Sequence, residues 1–525
     1  MIQRPLFALL AACSLFACGK VSNLGYGRDS THGDDAGKGS ALDSAAAGAS
    51  SGGGAAGSLA GAGGRPTEPS CASAISLKGD LQVNDGNRTQ LIREVTGNLE
   101  IDSTSSDLPQ LRCLETVGGD LDVRVETGDL SVLSHLRSVK FHLTIHGNRE
   151  MRDLSALSSL TSVGTSLTVA DNDALVDLSG LENIDDLFEL HLRNNAKLQN
   201  LDALSNLTTR GGDLEITGNG ALVDLTGLHR LTKTNKLNIS DSPLLHDLTG
   251  IDGVTAAPSG ITIAGNDALL DLTALAGIES TTELTINDNP SLRNLSGLEH
   301  LASATSITLL NDVGLENIDA LGSSLSSLSG FNLSGSPKLT NVEFLSNFTT
   351  LEGVSLDQSG VNTLHGLRNI EYLGALQIGA IKIKDFTGLG KATIGGFVYV
   401  SHASELESLS GLSPDTHTLQ GMSFDDCPKL RDLAGLEMVQ SVVLLTISAN
   451  PQLESLTGLE NLSKVERLTL TDSGLTNLTP LDHLSSIGDD AHIEGNPKLS
   501  ACDIQAFVTR TGAATSTLQG NGPCN

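Results

Sequence analysis

The chain has no tryptophan and few aromatic residues of any kind. Its 525 residues include 11 Phe and 3 Tyr, and aromatics make up 3% of the composition. A core built on large rings is therefore excluded, and leucine, isoleucine and valine must supply most of the buried surface. Sugar binding often uses stacked aromatic rings, so it is disfavoured, although Tyr26, Tyr372 and Tyr399 leave it open.

Basic residues are also scarce. The chain has 32 Lys and Arg against 62 Asp and Glu, which gives a formal net charge of −30. The general field of such a protein repels phosphate groups and anionic lipid headgroups. We therefore predict no nucleic-acid partner and no electrostatic attachment to a bilayer.

Long apolar runs are confined to the N-terminus. The sequence MIQR carries one positive charge, and PLFALLAACSLFA follows it as an apolar run that is too short to span a bilayer. No other segment is apolar over 18 residues, the shortest length typical of a spanning helix. This pattern predicts a targeting segment over residues 1–18.

The end of this segment, Leu15-Phe16-Ala17-Cys18-Gly19, resembles the lipobox of bacterial lipoproteins. The resemblance implies that Cys18 is lipidated and becomes the new N-terminus, so that lipid is the only membrane attachment. It implies a bacterial cell envelope location. The outer membrane or cell surface is favoured, because Gly19 and Lys20 follow and no Asp does. Cys13, which follows Leu10-Ala11-Ala12, is a second match, and an ordinary secretory signal with an incidental cysteine is the alternative.

A low-complexity segment separates this signal from the rest of the chain. From residue 36 to residue 64, 25 of 29 residues are Gly, Ala or Ser. Such a composition cannot bury enough apolar surface to fold. We predict a disordered tether over residues 19–70.

The rest of the chain repeats one pattern about every 23 residues, for example LTVADNDALVDLSGLENI from Leu167 and LTINDNPSLRNLSGLEHL from Leu284. Each repeat has an apolar-x-apolar triplet, a polar turn, and leucines about three residues apart. The triplets predict short strands, and stacked repeats bury edges that a single repeat leaves exposed. The triplets begin at Leu81, Leu99, Leu121, Leu143, Leu167, Leu190, Leu214, Leu237, Ile261, Leu284, Ile307, Phe331, Val354, Leu376, Phe397, Met422, Leu445, Leu468 and Ala491.

The predicted fold is a repeat solenoid, a right-handed parallel β-helix or leucine-rich-repeat-like structure of about 19 rungs, a rung being one repeat. It covers residues 71–505, with a C-terminal cap over residues 506–525. The pattern is poorest from Leu376 to Val400, where GAIKIKDF and GGFVYV interrupt it. We expect an irregular or bulged rung there.

A polar column lies five residues after the triplet starts. Inward-facing Asn side chains at this position would hydrogen-bond turn backbone that is otherwise buried and unpaired. Small polar residues replace Asn in other repeats (Ser242, Asp312, Ser336, Ser359 and Ser473), so Cys427 is interpreted as a buried ladder residue and not as a nucleophile. The predicted structural ladder is Asn148, Asn172, Asn195, Asn219, Asn266, Asn289, Cys427, Asn450 and Asn496.

These repeats resemble two related families, the leucine-rich repeat and the receptor L domain of insulin-receptor-type ectodomains. The segments GDLQV, GNLEI and GGDLDV carry the resemblance, as does NPKLSAC, which looks like the closing motif of the L domain. The resemblance implies a ligand-binding solenoid. The receptor role does not carry over, because the chain lacks the receptors' Cys-rich segments and kinase.

Five cysteines remain once Cys13 and Cys18 are set aside. With Cys427 in the ladder, the other four fall at the two ends of the solenoid, where a stack of repeats would fray. We expect disulfide bonds there in an oxidising compartment. Redox or metal-binding thiols are the alternative, but no C-x-x-C spacing is present. The disulfide candidates are Cys71, Cys113, Cys502 and Cys524.

Motifs for catalysis, metal binding or cofactor binding are missing from the sequence. There is no H-E-x-x-H, no Walker loop and no G-x-S-x-G in a suitable context. His142 and His146 flank one triplet, but two histidines without a carboxylate make a poor metal site. Acidic pairs such as Asp185-Asp186, Asp425-Asp426 and Asp489-Asp490 are solvated turn residues, with weak Ca²⁺ binding as the alternative. We predict a protein that is not an enzyme and uses no cofactor or metal.

The middle residue of each triplet should face outward from the sheet. This stripe is polar and rich in threonine, which fits a solvated β surface, a broad recognition surface or, with less support, an ice-binding lattice. The predicted function is non-catalytic recognition of an unknown protein or surface polymer by a monomer. A structural spacer of the envelope and a β-helix enzyme acting on polysaccharide are the alternatives. The binding-face candidates are Thr144, Thr168, His191, Thr262, Thr285, Thr308, Thr446 and Thr469.

Overall fold

The structure is a computed structural model that describes residues 70–83, 90–103, 108–390, 392–412, 418–513, 516–517 and 519–524. The predicted signal segment, Cys18 and the predicted tether up to residue 69 lie outside the described residues. Within the described part of the chain, no helix combines the length and apolar character needed to cross a bilayer.

Short strands dominate the secondary structure. In the first half of the chain they are β1 (Ile75–Leu77), β2 (Leu81–Val83), β3 (Ile92–Val95), β4 (Leu99–Ser103), β5 (Thr116–Val117), β6 (Leu121–Val125), β7 (Ser138–Val139), β8 (His142–His146), β9 (Ser162–Val163), β10 (Ser166–Ala170), β11 (Asp186–Leu187), β12 (Glu189–Arg193), β13 (Thr208–Thr209), β14 (Leu214–Thr217), β15 (Lys236–Ser240) and β16 (Gly260–Ala264). In the second half they are β17 (Ser280–Asn287), β18 (Ser303–Leu310), β19 (Gly330–Ser334), β20 (Thr350–Leu351), β21 (Gly353–Asp357), β22 (Tyr372–Gly379), β23 (Thr393–Ser401), β24 (Thr418–Asp425), β25 (Ser441–Ser448), β26 (Lys464–Thr471), β27 (Ser486–Ile487), β28 (Ala491–Glu494) and β29 (Ser516–Thr517).

Among the described residues, helical structure is limited to short 3₁₀ turns and one α-helix near the C-terminus, α1 (Ala501–Thr511). The 3₁₀ turns are Cys71–Ser73, Pro109–Leu111, Ser131–Leu133, Ser155–Leu157, Asp202–Leu204, Thr226–Leu228, Thr273–Leu275, Asp319–Gly322, Glu343–Asn347, His365–Leu367 and Thr479–Leu481.

The triplets form one long parallel sheet, the main sheet, in which each rung pairs with the rung before and after it. The sheet runs in chain order from β2 to β29. The register matches repeat to repeat, so Leu284 pairs with Ile307 and Thr285 pairs with Thr308. The chain is therefore a parallel solenoid, as the repeat predicts.

A second, narrower sheet accompanies the first rungs, and its strands lie just before the triplets. It contains β1, β3, β5, β7 and β9, and β11 pairs with β13 in a continuation of two strands. From β17 onward the two strands of several rungs merge into single strands of eight or nine residues, such as β22, β23 and β26.

The core is a column of aliphatic side chains between the main sheet and the turns. In the rung that begins at Leu284, the triplet residues Leu284 and Ile286 and the later leucines Leu292, Leu295 and Leu298 are each at most 1% exposed. Burying one such side chain contributes roughly 2 kcal/mol, so a rung gains its stability from several leucines together. A rung at the end of the stack lacks one neighbour and needs a cap.

One residue in each rung from Leu143 onward adopts a left-handed backbone, four places after the triplet start. This conformation favours Gly, Asn and Asp, and the column consists mainly of these residues. It ends the strand and turns the next side chain into the core. The column is Gly147, Asp171, Asn194, Gly218, Asp241, Gly265, Asp288, Asn311, Gly335, Gln358, Ala380, His402, Asp426, Ala449, Asp472, Gly495 and Gly520.

The next residue in each rung is the predicted ladder position, and the structure buries it. Asn289 shows the arrangement: its Nδ2 donates to the Ile263 carbonyl at 3.0 Å and to the Asn287 carbonyl at 2.9 Å. Its Oδ1 accepts the Asn266 backbone N–H at 3.2 Å. Asn148, Asn172, Asn195, Asn219, Asn266, Asn289, Cys427, Asn450 and Asn496 are all 0% exposed.

A second set of side-chain bonds fixes the turn opposite the main sheet. Asp, Asn, Ser or Thr accepts the backbone N–H two residues ahead, which holds the chain in a tight bend. In one example Asp271 Oδ1 accepts the Thr273 N–H at 3.0 Å. The same bond is made by Asp129, Asp153, Asp177, Asn200, Asp224, Asp247, Asn294, Asn317, Asn341, Thr363, Asp385, Ser408, Asp432, Ser455 and Asn477.

Disulfide bonds close both ends of the solenoid. Cys71 is bonded to Cys113, and Cys502 is bonded to Cys524. At the C-terminal end α1 lies across the boundary predicted at residue 505, and β29 adds a last strand to the main sheet. The caps therefore combine a covalent link with a covered end.

The irregular rung is present, and one predicted triplet is wrong by a residue. The pairing of β22 with β23 contains a register shift between Leu373 and Ala375. Leu376 pairs with Val398, so the triplet there begins at Val398 and not at Phe397. The error has a physical cause, because Phe-Val-Tyr-Val offers two apolar alternations and the sheet buries the smaller valines.

Candidate functional site

The most extensive candidate surface is the outer face of the main sheet. Side chains alternate along a strand, so the residue before the triplet, its middle residue and the residue after it all point outward. In the rung of Leu284 these are Glu283, Thr285 and Asn287. We call the surface formed by these three columns the outer sheet face.

The predicted binding-face residues fall into three separate groups on this face. All of them are half-buried between their neighbours. Thr144, Thr168 and His191 occupy consecutive rungs, as do Thr262, Thr285 and Thr308, while Thr446 and Thr469 form a pair. The eight residues therefore do not form one patch, although each group is continuous.

Charged residues lie on the outer sheet face of the first group of rungs and of the rungs next to it. Arg124 lies 3.4 Å from Asp102, and His146 Nε2 lies 2.9 Å from Asp122. His191 lies 3.1 Å from Glu215, which also accepts a hydrogen bond from Arg193. That bond lowers the pKa of Glu215 and raises the pKa of Arg193. Arg124 and Arg193 each pair with a carboxylate here, and Asp122 is hydrogen-bonded to a histidine.

One contact in this region resembles half of a catalytic arrangement. His142 Nδ1 lies 2.6 Å from the Ser166 hydroxyl. Nucleophilic catalysis also needs a group that orients the histidine ring. The nearby Asp120 carboxylate accepts the His142 backbone N–H at 3.1 Å, and within the described residues no carboxylate bonds the ring. His142 and His146 thus serve different partners and do not form a joint site.

An open polar hollow of about 660 Å³ lies at the turns beside these rungs. It contains groups of both signs, and Arg124 lies 3.8 Å from Glu126 within it. Its lining residues are Arg124, Glu126, Thr127, His146, Gly147, Arg149, Glu150, Asp171 and Asp173.

Over the described residues there is no grouping of three or more His, Cys, Asp or Glu side chains suited to a metal ion. The acidic pairs considered for Ca²⁺ face basic groups instead. Asp186 lies 2.9 Å from Arg210, and Asp489 lies 2.8 Å from Arg467. His402 lies 3.9 Å from Asp426.

The middle of the outer sheet face has a different chemistry. Between the rungs of Ile261 and Leu445 its three columns carry the carboxylates Glu283, Asp357 and Asp425, and they carry no Lys, Arg or His. Most other positions are Gly, Ala, Ser, Thr or Asn. This stretch, which we call the central zone, is therefore low in relief and free of positive charge.

An aromatic cluster lies on this part of the solenoid: Phe397 and Tyr399 stand on the central zone, and Tyr372 lies beside it, outside the three columns. The Phe397 and Tyr399 rings are nearly parallel, with centroids 5.5 Å apart and planes inclined by 16°. Tyr372 is 39% exposed. The rings cover glycines: a Cβ on Gly421 would lie 2.9 Å from the Phe397 ring, and one on Gly395 would lie 2.6 Å from the Tyr372 hydroxyl.

Sequence reasoning missed this cluster because it placed Phe397 inside the core. The signal was present, since Gly395, Gly396 and Gly421 surround the rings and mark positions where a ring lies over backbone. Asn521 was not predicted either, and it extends the ladder into the cap. Its Oδ1 accepts the Asn496 N–H at 3.0 Å, and its Nδ2 donates to the Ile493 carbonyl at 2.8 Å.

Comparison with known proteins finds similar folds at low sequence identity. The sequence matches no protein-family model and no curated protein. A leucine-rich-repeat protein of Leptospira interrogans is 17% identical, with a TM-score of 0.44, over 74% of this chain and 91% of that one. An internalin of Listeria monocytogenes is 18% identical, with a TM-score of 0.34, over 68% and 81%. A leucine-rich-repeat protein of Bacteroides thetaiotaomicron is 11% identical, with a TM-score of 0.34, over 80% and 54%. By its own repeats and strand pairing, the chain is a parallel solenoid of the leucine-rich-repeat type.

Proposed function

We propose that this chain is a lipid-anchored protein of a bacterial cell envelope whose solenoid recognises another protein or a surface polymer without catalysis. The observation that carries the proposal is the central zone of the outer sheet face, a continuous exposed surface across nine consecutive rungs. Solenoids commonly use such extended faces for binding. The resemblance of the repeats to receptor L domains, which bind ligands, also supports recognition.

The anchor is supported by the sequence alone. The lipobox-like Leu15-Phe16-Ala17-Cys18 is followed by a segment rich in Gly, Ala and Ser and then by the solenoid. That order suits a binding module held at a distance from a bilayer. A lipid on Cys18 would be the only membrane attachment.

The wide separation of the carboxylates on the central zone supports recognition over hydrolysis. A glycosidase needs two carboxyl groups a few ångströms apart on either side of the scissile bond. Glu283, Asp357 and Asp425 occupy rungs 10, 13 and 16, counted from Leu81, so neighbouring strands do not pair any two of them. A binding face has no such requirement.

Metabolic labelling with a radioactive fatty acid tests the anchor. We expect label on the wild-type chain and on Cys13→Ala, and none on Cys18→Ala. Label that survives Cys18→Ala would contradict the assignment of the anchor. Protease shaving of intact cells then tests exposure: loss of the solenoid from unbroken cells is expected for surface recognition, whereas protection until the envelope is opened would place recognition in the periplasm.

Substitutions on the outer sheet face test recognition against a spacer role. Thr285→Lys places a long cation in the central zone, and Leu270→Lys is the matched control at a residue that is 57% exposed on a turn. If the face recognises a partner, Thr285→Lys should abolish the protein's function in cells, whereas Leu270→Lys should preserve it. A spacer should tolerate both.

A further inference from the structure

The aromatic cluster of Tyr372, Phe397 and Tyr399 has an unusual position in a chain so poor in aromatics. Phe397 stands in the first outward column, where its neighbours along the sheet are Gly353, Ala375 and Gly421. These neighbours are glycine or alanine, so the rings project beyond the side chains around them in that column. Tyrosine is one of the residue types enriched at binding hot spots, and exposed apolar patches often mark interaction sites.

Packing alone explains only part of this arrangement. The rings cover Gly395 and Gly421, which shields backbone that would otherwise be open to solvent. Phe397, Tyr399 and the two neighbouring glycines Gly395 and Gly396 nevertheless keep intermediate exposure, and Tyr372 is exposed. Phe397 and Tyr399 cover part of each other's rings, and the uncovered part of each ring is accessible to a second molecule.

Carboxylates lie on both sides of the cluster. Tyr399 pairs with Ser423 in the next rung, and Asp425 follows Ser423 on the same face. On the other side Asp357 pairs with Gly379, and Gly379 pairs with Ser401. Between the two aspartates only Gly379 and Ser401 intervene, so a side chain that reaches the Tyr399 ring also passes near a carboxylate.

The chemistry that fits aromatic faces beside carboxylates is a cation. A guanidinium or ammonium group over an aromatic face is attracted by the ring quadrupole, and a nearby carboxylate adds charge pairing. The three outward columns of the central zone contain no Lys, Arg or His that would compete for this position. The net charge of −30 also favours the approach of a basic partner.

We infer that the aromatic cluster, with Asp357 and Asp425, is the contact point for a basic protein segment that presents arginine or lysine side chains. The inference rests on the proposed function, because it names the partner's chemistry at the outer sheet face. The cation lies against Tyr399 and Phe397, and the carboxylates hold its charge.

The test uses the whole chain, purified in mild detergent, and a labelled alternating Arg-Gly peptide followed by fluorescence anisotropy. Because the chain lacks tryptophan, tyrosine emission of the Tyr26→Phe variant reports on Tyr372 and Tyr399 alone. We expect saturable binding that changes this emission. An alternating Gln-Gly peptide of equal length should not bind.

Variants separate the aromatic contact from general attraction to an acidic protein. Tyr399→Leu keeps apolar volume but removes the ring face, and should weaken binding about fivefold, whereas Tyr399→Phe should change it less than about twofold. Asp357→Asn with Asp425→Asn should also weaken binding. Phe188→Leu is the matched control, because Phe188 is an exposed ring, 39% accessible, on a distant rung.

Three results would overturn the inference. The first is equal weakening by Tyr399→Leu and Phe188→Leu, which would mean non-specific attraction. The second is no binding of the Arg-Gly peptide to a chain whose circular dichroism is native. The third is binding of a neutral cello-oligosaccharide that is lost in Tyr399→Leu, which would make the cluster a sugar site. If Thr285→Lys abolishes function while Tyr399→Leu has no effect on it, the proposed function stands and this inference fails.

Discussion

Asp312 occupies a ladder position that asparagine fills in many other rungs, and the difference between the two side chains leads to a prediction about stability. Its Oδ1 accepts the Asn289 backbone N–H at 2.8 Å and the Asn289 Nδ2 at 3.2 Å. Its Oδ2 is buried without a hydrogen-bond partner and stands where an asparagine would carry its amide nitrogen. By the register of the ladder, the groups facing that atom are carbonyl oxygens, so a carboxylate is repelled there.

Burial is the main reason that the pKa of Asp312 is raised from 3.8 to about 7, and the nearby Asp288 charge adds to the effect. Between about pH 4 and pH 7 the folded chain therefore keeps a proton on Asp312, whereas the unfolded chain has lost it. The free energy of unfolding consequently falls as the pH rises from about 4 to about 7, and the whole of this loss is present above pH 7. The change in pKa corresponds to about 4 kcal/mol.

Asp312→Asn should remove this loss of stability, and its amide nitrogen should supply a hydrogen-bond donor where Asp312 Oδ2 has no partner. We expect the variant to be more stable than the wild type at pH 8, by up to about 4 kcal/mol, with a gap that shrinks toward pH 4. Urea unfolding followed by circular dichroism from pH 4 to pH 8 measures the gap. Hydrogen exchange of the rungs around Asp312 keeps the result interpretable if the solenoid unfolds in stages.

Asp288→Asn is the control for this prediction. It removes the neighbouring charge at a left-handed, exposed position that asparagine tolerates, and it leaves the buried carboxyl in place. The effect of Asp288→Asn on stability should be much smaller than that of Asp312→Asn. A stability gap for Asp312→Asn that does not change with pH, or a variant less stable than the wild type at pH 8, would refute the reasoning.

Three further predictions concern the scaffold. Asn289→Ala should destabilise the solenoid by about 3 kcal/mol in urea unfolding, because it leaves the Ile263 and Asn287 carbonyls without their donor; a loss below about 1 kcal/mol would contradict the ladder. Ala449→Gly should stabilise the solenoid by about 0.5–1 kcal/mol, because alanine is strained at a φ of 56°. Gly265→Ala should destabilise it, because the added Cβ would lie 2.6 Å from Asp241 Oδ1. A change in stability of the same sign for both variants would contradict this reasoning. Cys427 should resist thiol reagents at pH 8 until the chain is unfolded, because burial raises the pKa of its thiol to about 12, and rapid labelling of the native chain would show that it is accessible.

The repeating part of the fold could be predicted from the sequence because each rung buries leucines at the same positions against its neighbours. Leu292, Leu295 and Leu298 recur at spacings that only a stack of repeats can bury, and Asn289 recurs where backbone needs a partner. The pairing of Cys71 with Cys113 followed from the need to cap an open end. Local patterns of this kind are readable because each rung contacts mainly its neighbours.

The candidate site was harder to predict because it departs from the repeat. At Phe397 two apolar alternations compete, and only the pairing with Leu376 decides that Val398 faces the core. The left-handed column, which includes Asp288, escaped notice because asparagine and aspartate there look like ordinary turn residues. The protonation of Asp312 depends on which oxygen has a partner, and this becomes visible only when neighbouring rungs are stacked.

Site-specific photo-crosslinking in living cells is the most direct test of recognition by the outer sheet face. A photoreactive residue is placed at Thr285, Thr308 or Gln377 in the central zone, and at Leu270 or Leu244 on exposed turns as controls. If this face recognises a partner, we expect a discrete higher-mass adduct from the central zone and none from the turns. Adducts from the turns alone, or none from any position in a chain that is folded and exported, would contradict it.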